Sequence, residues 1–193
     1  SAAIQIRQEL GEQHPAHLQL DRALRWTEDF LQTARAQMLS RESFVELDIV
    51  ALLHEVVDEI YPLAQKQELP LDISLPEEPQ WVHGNAETLL RAVTNLLANA
   101  LKFSPPGGRV GLHAHAGSGH FQICVTDQGP GIAAEEQAHL FKRFSRPLGE
   151  GHHTGAGLGL YFVHTVVHHH GGSVHYSRRS DQTCFDIRLP SMH

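Results

Sequence analysis

No stretch of this sequence approaches the roughly 18 consecutive apolar residues that a bilayer-crossing helix needs. No signal-peptide pattern opens it either, so the chain as it stands is expected to be soluble. Basic side chains are few: 15 Lys and Arg against 22 Asp and Glu leave a formal charge of -7. That balance offers no cationic footprint for a phosphate backbone, which excludes nucleic acid as a partner. Cysteine is nearly absent. Cys124 and Cys184 stand 60 residues apart without a CxxC, each inside an alternating strand-like run. Both are expected to be buried and reduced, as in a cytosolic protein. An initiator Met is missing too: the chain opens at Ser1 directly in a helical pattern, and is expected to be an excised piece of something longer. Any membrane segment would then lie upstream. With 193 residues there is room for one ordinary domain and an appendage.

What is present falls into two parts. Ile4, Ile6 and Leu10 fit the end of a helix that stops at Gly11 and turns through GEQHP. From Pro15 the apolar residues Leu18, Leu20, Leu24, Trp26, Phe30, Leu31 and Ala34 recur mostly three or four apart, which predicts an amphipathic helix over 15–40. It is too apolar for a lone surface helix, so it packs either on its own domain or in a dimeric bundle. Beyond a short linker the spacing predicts strands at 44–47, 71–75, 81–83, 110–116, 121–126, 173–177 and 183–189. Helices are predicted over 49–67, 86–103, 134–141 and 158–170, the second stopped firmly by Ser104, Pro105, Pro106, Gly107 and Gly108. Strands meeting mostly as hairpins, with helices on one side, imply an α+β fold, a two-layer α/β sandwich.

Three segments carry chemistry. Asn95 and Asn99 lie one helical turn apart, so their amide oxygens can face a hard cation together, and Lys102 on the same face can reach a phosphate. The plain alternative is a polar helix face, but Leu96 and Leu97 put these amides at the edge of the core. Asp127 ends a strand and enters the turn Gln128, Gly129, Pro130, Gly131, which alone would be an ordinary turn. Gly155, Gly157 and Gly159 precede and open a helix, whose amides suit a phosphate chain. A dinucleotide fingerprint is excluded because no strand runs directly into these glycines. Between them, residues 147–154 have the makeup of a lid, with Phe141 and Phe144 as its hinge or as plain core residues, and Arg143 and Arg146 as phosphate contacts. In this order the set describes a purine-nucleotide pocket with Mg2+ at its phosphate end. The sixteen histidines include His168, His169 and His170, which splay around a helix and cannot share one ion.

From residue 47 to 190 the chain resembles the catalytic ATP-binding module of sensor histidine kinases, the Bergerat-fold class that also holds gyrase-type and chaperone ATPases. The resemblance divides the chain into 1–42, part of a dimerisation hairpin lacking the acceptor histidine, and 43–193, the catalytic domain. It implies ATP and Mg2+ as cofactors. Asn95 and Asn99 would bind the metal, and Asp127, Gly129, Gly131, Ile132 and Thr183 the base, with adenine favoured over guanine because a carboxylate accepts from an amino group. Lys102, Phe144, Arg146, Thr154, Gly155, Ala156, Gly157, Leu158, Gly159 and Leu160 would surround the phosphates. Glu87 either orients the acceptor imidazole or is a solvated helix-start carboxylate.

Water-splitting relatives place a glutamate four residues before the magnesium asparagine. Here that residue is Asn95, which implies transfer to histidine with no base for water. A serine kinase of the anti-sigma type and a non-catalytic nucleotide-binding module are the rivals. The implied partners are a second copy of the chain and a response-regulator receiver domain, in the cytoplasm. The family's acceptor histidine is followed by an acidic residue and, four positions on, a proline; none of the sixteen histidines has that context. The acceptor is therefore expected upstream of Ser1, and the chain is not expected to phosphorylate itself.

Overall fold

The computed structural model describes residues 15–143 and 157–192. The expected first hairpin helix and the lid at 147–154 lie outside the described residues. The chain begins with helix α1 (Pro15–Gln37), followed by a short 3-10 turn (Arg41–Ser43) and strand β1 (Val45–Asp48). Helix α2 (Ile49–Lys66) starts where Asp48 Oδ1 accepts from the Val50 N–H at 3.0 Å, a side-chain cap for an otherwise orphaned amide. Strands β2 (Leu71–Ser74) and β3 (Trp81–Gly84) lead to helix α3 (Ala86–Phe103). Asn85 caps α3 by accepting from the Thr88 N–H at 3.0 Å. Strands β4 (Val110–Gly117) and β5 (His120–Asp127), the single-turn helix α4 (Ala134–Gln137), helix α5 (Gly159–His169) and strands β6 (Ser173–Arg179) and β7 (Gln182–Pro190) complete the order.

A five-stranded sheet, ordered β2-β4-β5-β7-β6, forms one layer. All its pairs are antiparallel except β2 with β4, which is parallel. Strands β1 and β3 make a separate two-stranded antiparallel ladder. The second layer is α2, α3 and α5. Phe121, Ile123 and Val125 of β5, with Phe185, Ile187 and Leu189 of β7, point inward against the apolar faces of the helices. Leu89, Val93, Leu96, Leu97, Ala100 and Leu101 supply the face of α3. Truncating one such leucine to Ala would cost about 2–5 kcal/mol. This is the two-layer α/β sandwich expected.

Three expectations need correcting. The helix predicted over 134–141 is one turn only, because beyond Gln137 the chain continues in i to i+3 turns, His139 N–H to Glu136 and Lys142 N–H to His139. Among the described residues no side chain caps its start. Helix α1 stops at Gln37 rather than near residue 40. Cys124 and Cys184 are neither buried nor reduced. They project from the outer sheet face, half-buried, and are joined as a disulfide with 6.4 Å between their Cα atoms. The alternation in β5 and β7 gives the inner face to Ile123, Val125, Phe185 and Ile187, so the intervening cysteines must face out.

Helix α1 lies along α5, where Gln37 Nε2 donates to the Tyr161 hydroxyl at 2.8 Å and Ala36 and Thr33 are buried. Leu24, Trp26, Phe30 and Leu31 of the same helix remain exposed. Where α5 ends, His170 ties the helical layer to the start of α3. Its Nδ1 donates to the Val166 carbonyl at 2.7 Å and its Nε2 accepts from the Asn85 N–H at 3.0 Å, so the ring is neutral. Phe44 stacks on it at 4.3 Å, and a Cβ on Gly84 would stand 2.6 Å from the ring.

Burial lowers the pKa of His170; the Val166 carbonyl opposes this, and the charges of His169, Arg41 and His83 add to it. A lowered folded-state pKa means the unfolded chain takes up a proton that the native state resists. The stability from neutral His170 is present above about pH 6.5 and is lost as pH falls below that value. Urea midpoints at about pH 7.5 and about pH 5.5 will differ, and the difference will shrink in a His170→Asn chain, which has no proton to gain there.

Candidate functional site

One end of the site lies where β5 and β7 meet. Asp127 and Thr183 are register partners, 6% and 3% exposed. Asp127 Oδ1 accepts from the Gly129 N–H at 2.7 Å, and the Thr183 hydroxyl bonds to the same carboxylate. Burial raises the pKa of this carboxyl, opposed by Gly129, Thr183 and the nearby charge of Arg178. The result is an acceptor at the edge of the core, oriented by its own turn. A Cβ at Gly129 would come within 2.7 Å of Asp127 Oδ1 and 2.8 Å of the Phe103 carbonyl, so only glycine fits between α3 and the turn. Gly131 adopts a positive φ of 75°, and a side chain there would run into the Arg178 guanidinium. The Ile132 N–H donates to the Tyr176 hydroxyl at 2.9 Å.

Arg178 is a residue that motif reading missed. Its Nη1 donates to the Gly129 carbonyl at 3.0 Å and to Thr183 Oγ1 at 3.2 Å, so one side chain braces both walls of this end. It belongs to none of the three segments that carry the chemistry. The signal that could have found it is register: extending β6 to Arg179 places Arg178 opposite Thr183.

The other end lies between α3 and the start of α5. Asn95 and Asn99 are half-buried on one edge of α3, above buried Leu96 and Leu97. Gly159 opens α5 close by, with Asn99 Nδ2 3.9 Å from where its Cβ would stand. Asn95 shares a shallow pocket with Arg91, Leu158, Gly159 and, from α1, Asp29 and Thr33. Gly157 takes a positive φ of 71° ahead of buried Leu158, and among the described residues no side chain caps the amides of α5. Such amides, with the helix dipole, suit an anion. Leu160 is half-buried against the core.

Two neutral amide oxygens at an edge fit a hard cation that keeps waters and phosphate oxygens in its shell. Lys102 is exposed as a residue, but its ammonium stands 4.9 Å from the Phe103 ring and is partly desolvated there, which lowers its pKa. Glu87 stands exposed in the first turn of α3. Phe144, Arg146, Thr154, Gly155 and Ala156 lie outside the described residues. The structure thus brings Asp127, Gly129, Gly131 and Thr183 together, and separately Asn95, Asn99 and Gly159; Glu87 joins neither group.

Residues 84–193 match the family model described as histidine kinase-, DNA gyrase B-, and HSP90-like ATPase. Over 121 residues the chain is 40% identical to the signal transduction histidine-protein kinase/phosphatase MprB of Mycolicibacterium vanbaalenii, covering 62% of this chain and 25% of that protein. Over 103 residues it is 50% identical to MprB of Mycolicibacterium smegmatis, covering 53% and 20%. The chain therefore spans about a quarter or less of these curated relatives. Among solved structures, a mycobacterial sensor histidine kinase MprB superposes with a TM-score of 0.68 at 32% identity, covering 76% of this chain and 98% of that one. Full-length ShkA in complex with AMPPNP superposes with a TM-score of 0.76 at 26% identity, covering 91% and 37%.

An Asp127→Asn chain will fold yet bind ATP about ten- to a hundredfold more weakly, the loss of one charge-assisted bond of roughly 1.5–3 kcal/mol. Arg178→Gln will weaken binding less, since it loosens Gly129 and Thr183 without removing the acceptor. Isothermal titration of both variants checks the order.

Proposed function

The chain belongs to the histidine kinase-, DNA gyrase B-, and HSP90-like ATPase family, and from that premise we propose that it is the ATP-binding catalytic portion of a sensor histidine kinase. Family membership implies ATP binding. The proposed reaction moves the γ-phosphoryl group to a histidine of the same kinase, for relay to a response-regulator receiver domain. The observation that carries this reading is the residue at position 95. An asparagine stands where the water-splitting members of the class carry a glutamate, so the site has no evident base for water. An acceptor imidazole brings its own nucleophilic nitrogen and needs chiefly to be positioned.

In this reading Asp127 accepts from the adenine amino group, and Thr183, Gly129 and Gly131 shape the base end. Asn95 and Asn99 hold Mg2+, while Lys102, Arg146 and the amides from Gly157 to Leu160 hold phosphate oxygens. Bound MgATP supplies the phosphoryl group, with the cation neutralising its charge. Glu87, exposed near the start of α3, orients the incoming imidazole. Residues 43–193 are the catalytic domain and residues 1–42 part of the dimerisation hairpin. Exposed Leu24, Trp26, Phe30 and Leu31 support a second copy as the partner of α1. A cytoplasmic location is part of the same reading, since ATP and a receiver domain would be met there. Among the described residues no helix is long and apolar enough to cross a membrane. The helical segment and the intact glycines disfavour a serine kinase or a non-catalytic module.

Incubated with γ-labelled ATP, this chain alone will stay unlabelled. A longer piece of the same kinase carrying the histidine, acid and proline acceptor motif will take up acid-labile label. Acid-stable label, or label on this chain alone, would overturn the reading. In an Asn99→Ala chain the fold will persist and nucleotide affinity will lose its Mg2+ dependence, read by titrating with and without the cation.

A further inference from the structure

The outer face of the five-stranded sheet carries a cluster that nucleotide chemistry does not use. Cys124 and Cys184 meet there, and Asp186 stands directly opposite Cys124 in the β5–β7 register. One atom of each, two sulfurs and a carboxylate oxygen, all lie within 4.8 Å of one another. Asp186 is held in place from the side: Gln122 Nε2 donates to its Oδ2. Its Oδ1 is buried and accepts no hydrogen bond among the described residues, with only Arg188 Nε at 3.6 Å. A buried carboxylate oxygen left without a donor requires an explanation.

We propose that, when the disulfide is reduced, Cys124, Cys184 and Asp186 bind a thiophilic divalent cation of the zinc class. Two thiolates and a carboxylate are a donor set that zinc accepts in tetrahedral geometry, with water in the fourth position. Tetrahedral bonds of about 2.0 to 2.3 Å set donors roughly 3.3 to 3.8 Å apart, inside the present 4.8 Å envelope. The chemistry balances in two steps. A dithiol reductant gives two electrons and two protons to the S–S bond, yielding two thiols and its own disulfide. The thiols then release two protons as the cation binds both sulfurs. Three anionic donors against a dication leave one negative charge, which Arg188 faces. The disulfide and the bound ion are mutually exclusive, so metal occupancy reports the redox state of the pair. Cys184 adjoins Thr183, and Cys124 lies on the strand that ends at Asp127. The cluster is thus on the same two strands as the base end of the nucleotide site but on their opposite face.

The test uses the chain reduced with a phosphine, freed of metal and titrated anaerobically with Co2+. One ion per chain will bind, giving thiolate-to-cobalt charge-transfer absorption and tetrahedral ligand-field bands that Zn2+ abolishes. Oxidised chain will give neither. Cys124→Ser and Cys184→Ser will each bind Co2+ more weakly and show at most about half the charge-transfer intensity per bound ion, and Asp186→Asn will bind about tenfold more weakly or worse. Circular dichroism confirms that each variant is folded. In the unaltered chain, Zn2+ will slow alkylation of both thiols, a readout that needs no substitution. Absence of the band in reduced chain, an undiminished band in either cysteine variant, unchanged affinity in Asp186→Asn, or unchanged alkylation would each overturn the proposal.

Discussion

Helix α3 must serve the core and the site from a single stretch of chain, and the rest of the molecule is arranged around that requirement. Its inner face, from Leu89 to Leu101, fills the space between the sheet and the other helices. Asn95 and Asn99 occupy the boundary of that face, where an amide can stay partly hydrated while its helix is immobile. Rotated about the helix axis toward solvent they would be flexible surface groups; rotated toward the core they would need partners there. The dense packing around Leu96 and Leu97 therefore fixes where the amides stand to within the play of a close-packed interior. The last residue of α3, Phe103, then sets its carbonyl against Gly129, so the same helix also positions the far end of the site.

At that far end the physical problem is a buried carboxylate. An ionised Asp127 would be costly in this environment without donors. The Gly129 N–H and the Thr183 hydroxyl provide them, and Arg178 steadies both donors while adding charge nearby. Such an arrangement is ordered before any ligand arrives. A donor group meeting it gains a hydrogen bond without the cost of first orienting the acceptor.

Most of this was legible in the sequence because it depends on short-range periodicity. The apolar spacing along 86–103, its Pro and Gly stop, and the strand leading to Asp127 all resolve within a window of a few residues. What was not legible depends on pairing between distant segments. Arg178 acquires its role only from lying opposite Thr183, and the parallel pairing of four-residue β2 with β4 has no local signature. The cysteines were misread for a different reason. A small apolar side chain is commonly buried, but the branched and aromatic neighbours Ile123, Val125, Phe185 and Ile187 had already claimed the inner phase. In a strand, phase outranks residue type.

The same phase argument explains why one pair of strands can carry two unrelated chemistries. Thr183 faces inward beside Asp127, and Cys184, the next residue, faces outward. A slip of β7 by one residue would exchange them and would drive Asp186 and Arg188 into the core while expelling Phe185, Ile187 and Leu189. Three large apolar side chains would lose about 1.5–3 kcal/mol each, before any charge is buried. The hairpin from β6 into β7 reinforces the register: Arg179 pairs with Gln182 across a two-residue turn in which Ser180 takes a positive φ of 55°. Register is thus fixed from both the core and the turn. With the inner residues committed to packing and the base end, the outer row is free to hold groups that the nucleotide site cannot tolerate.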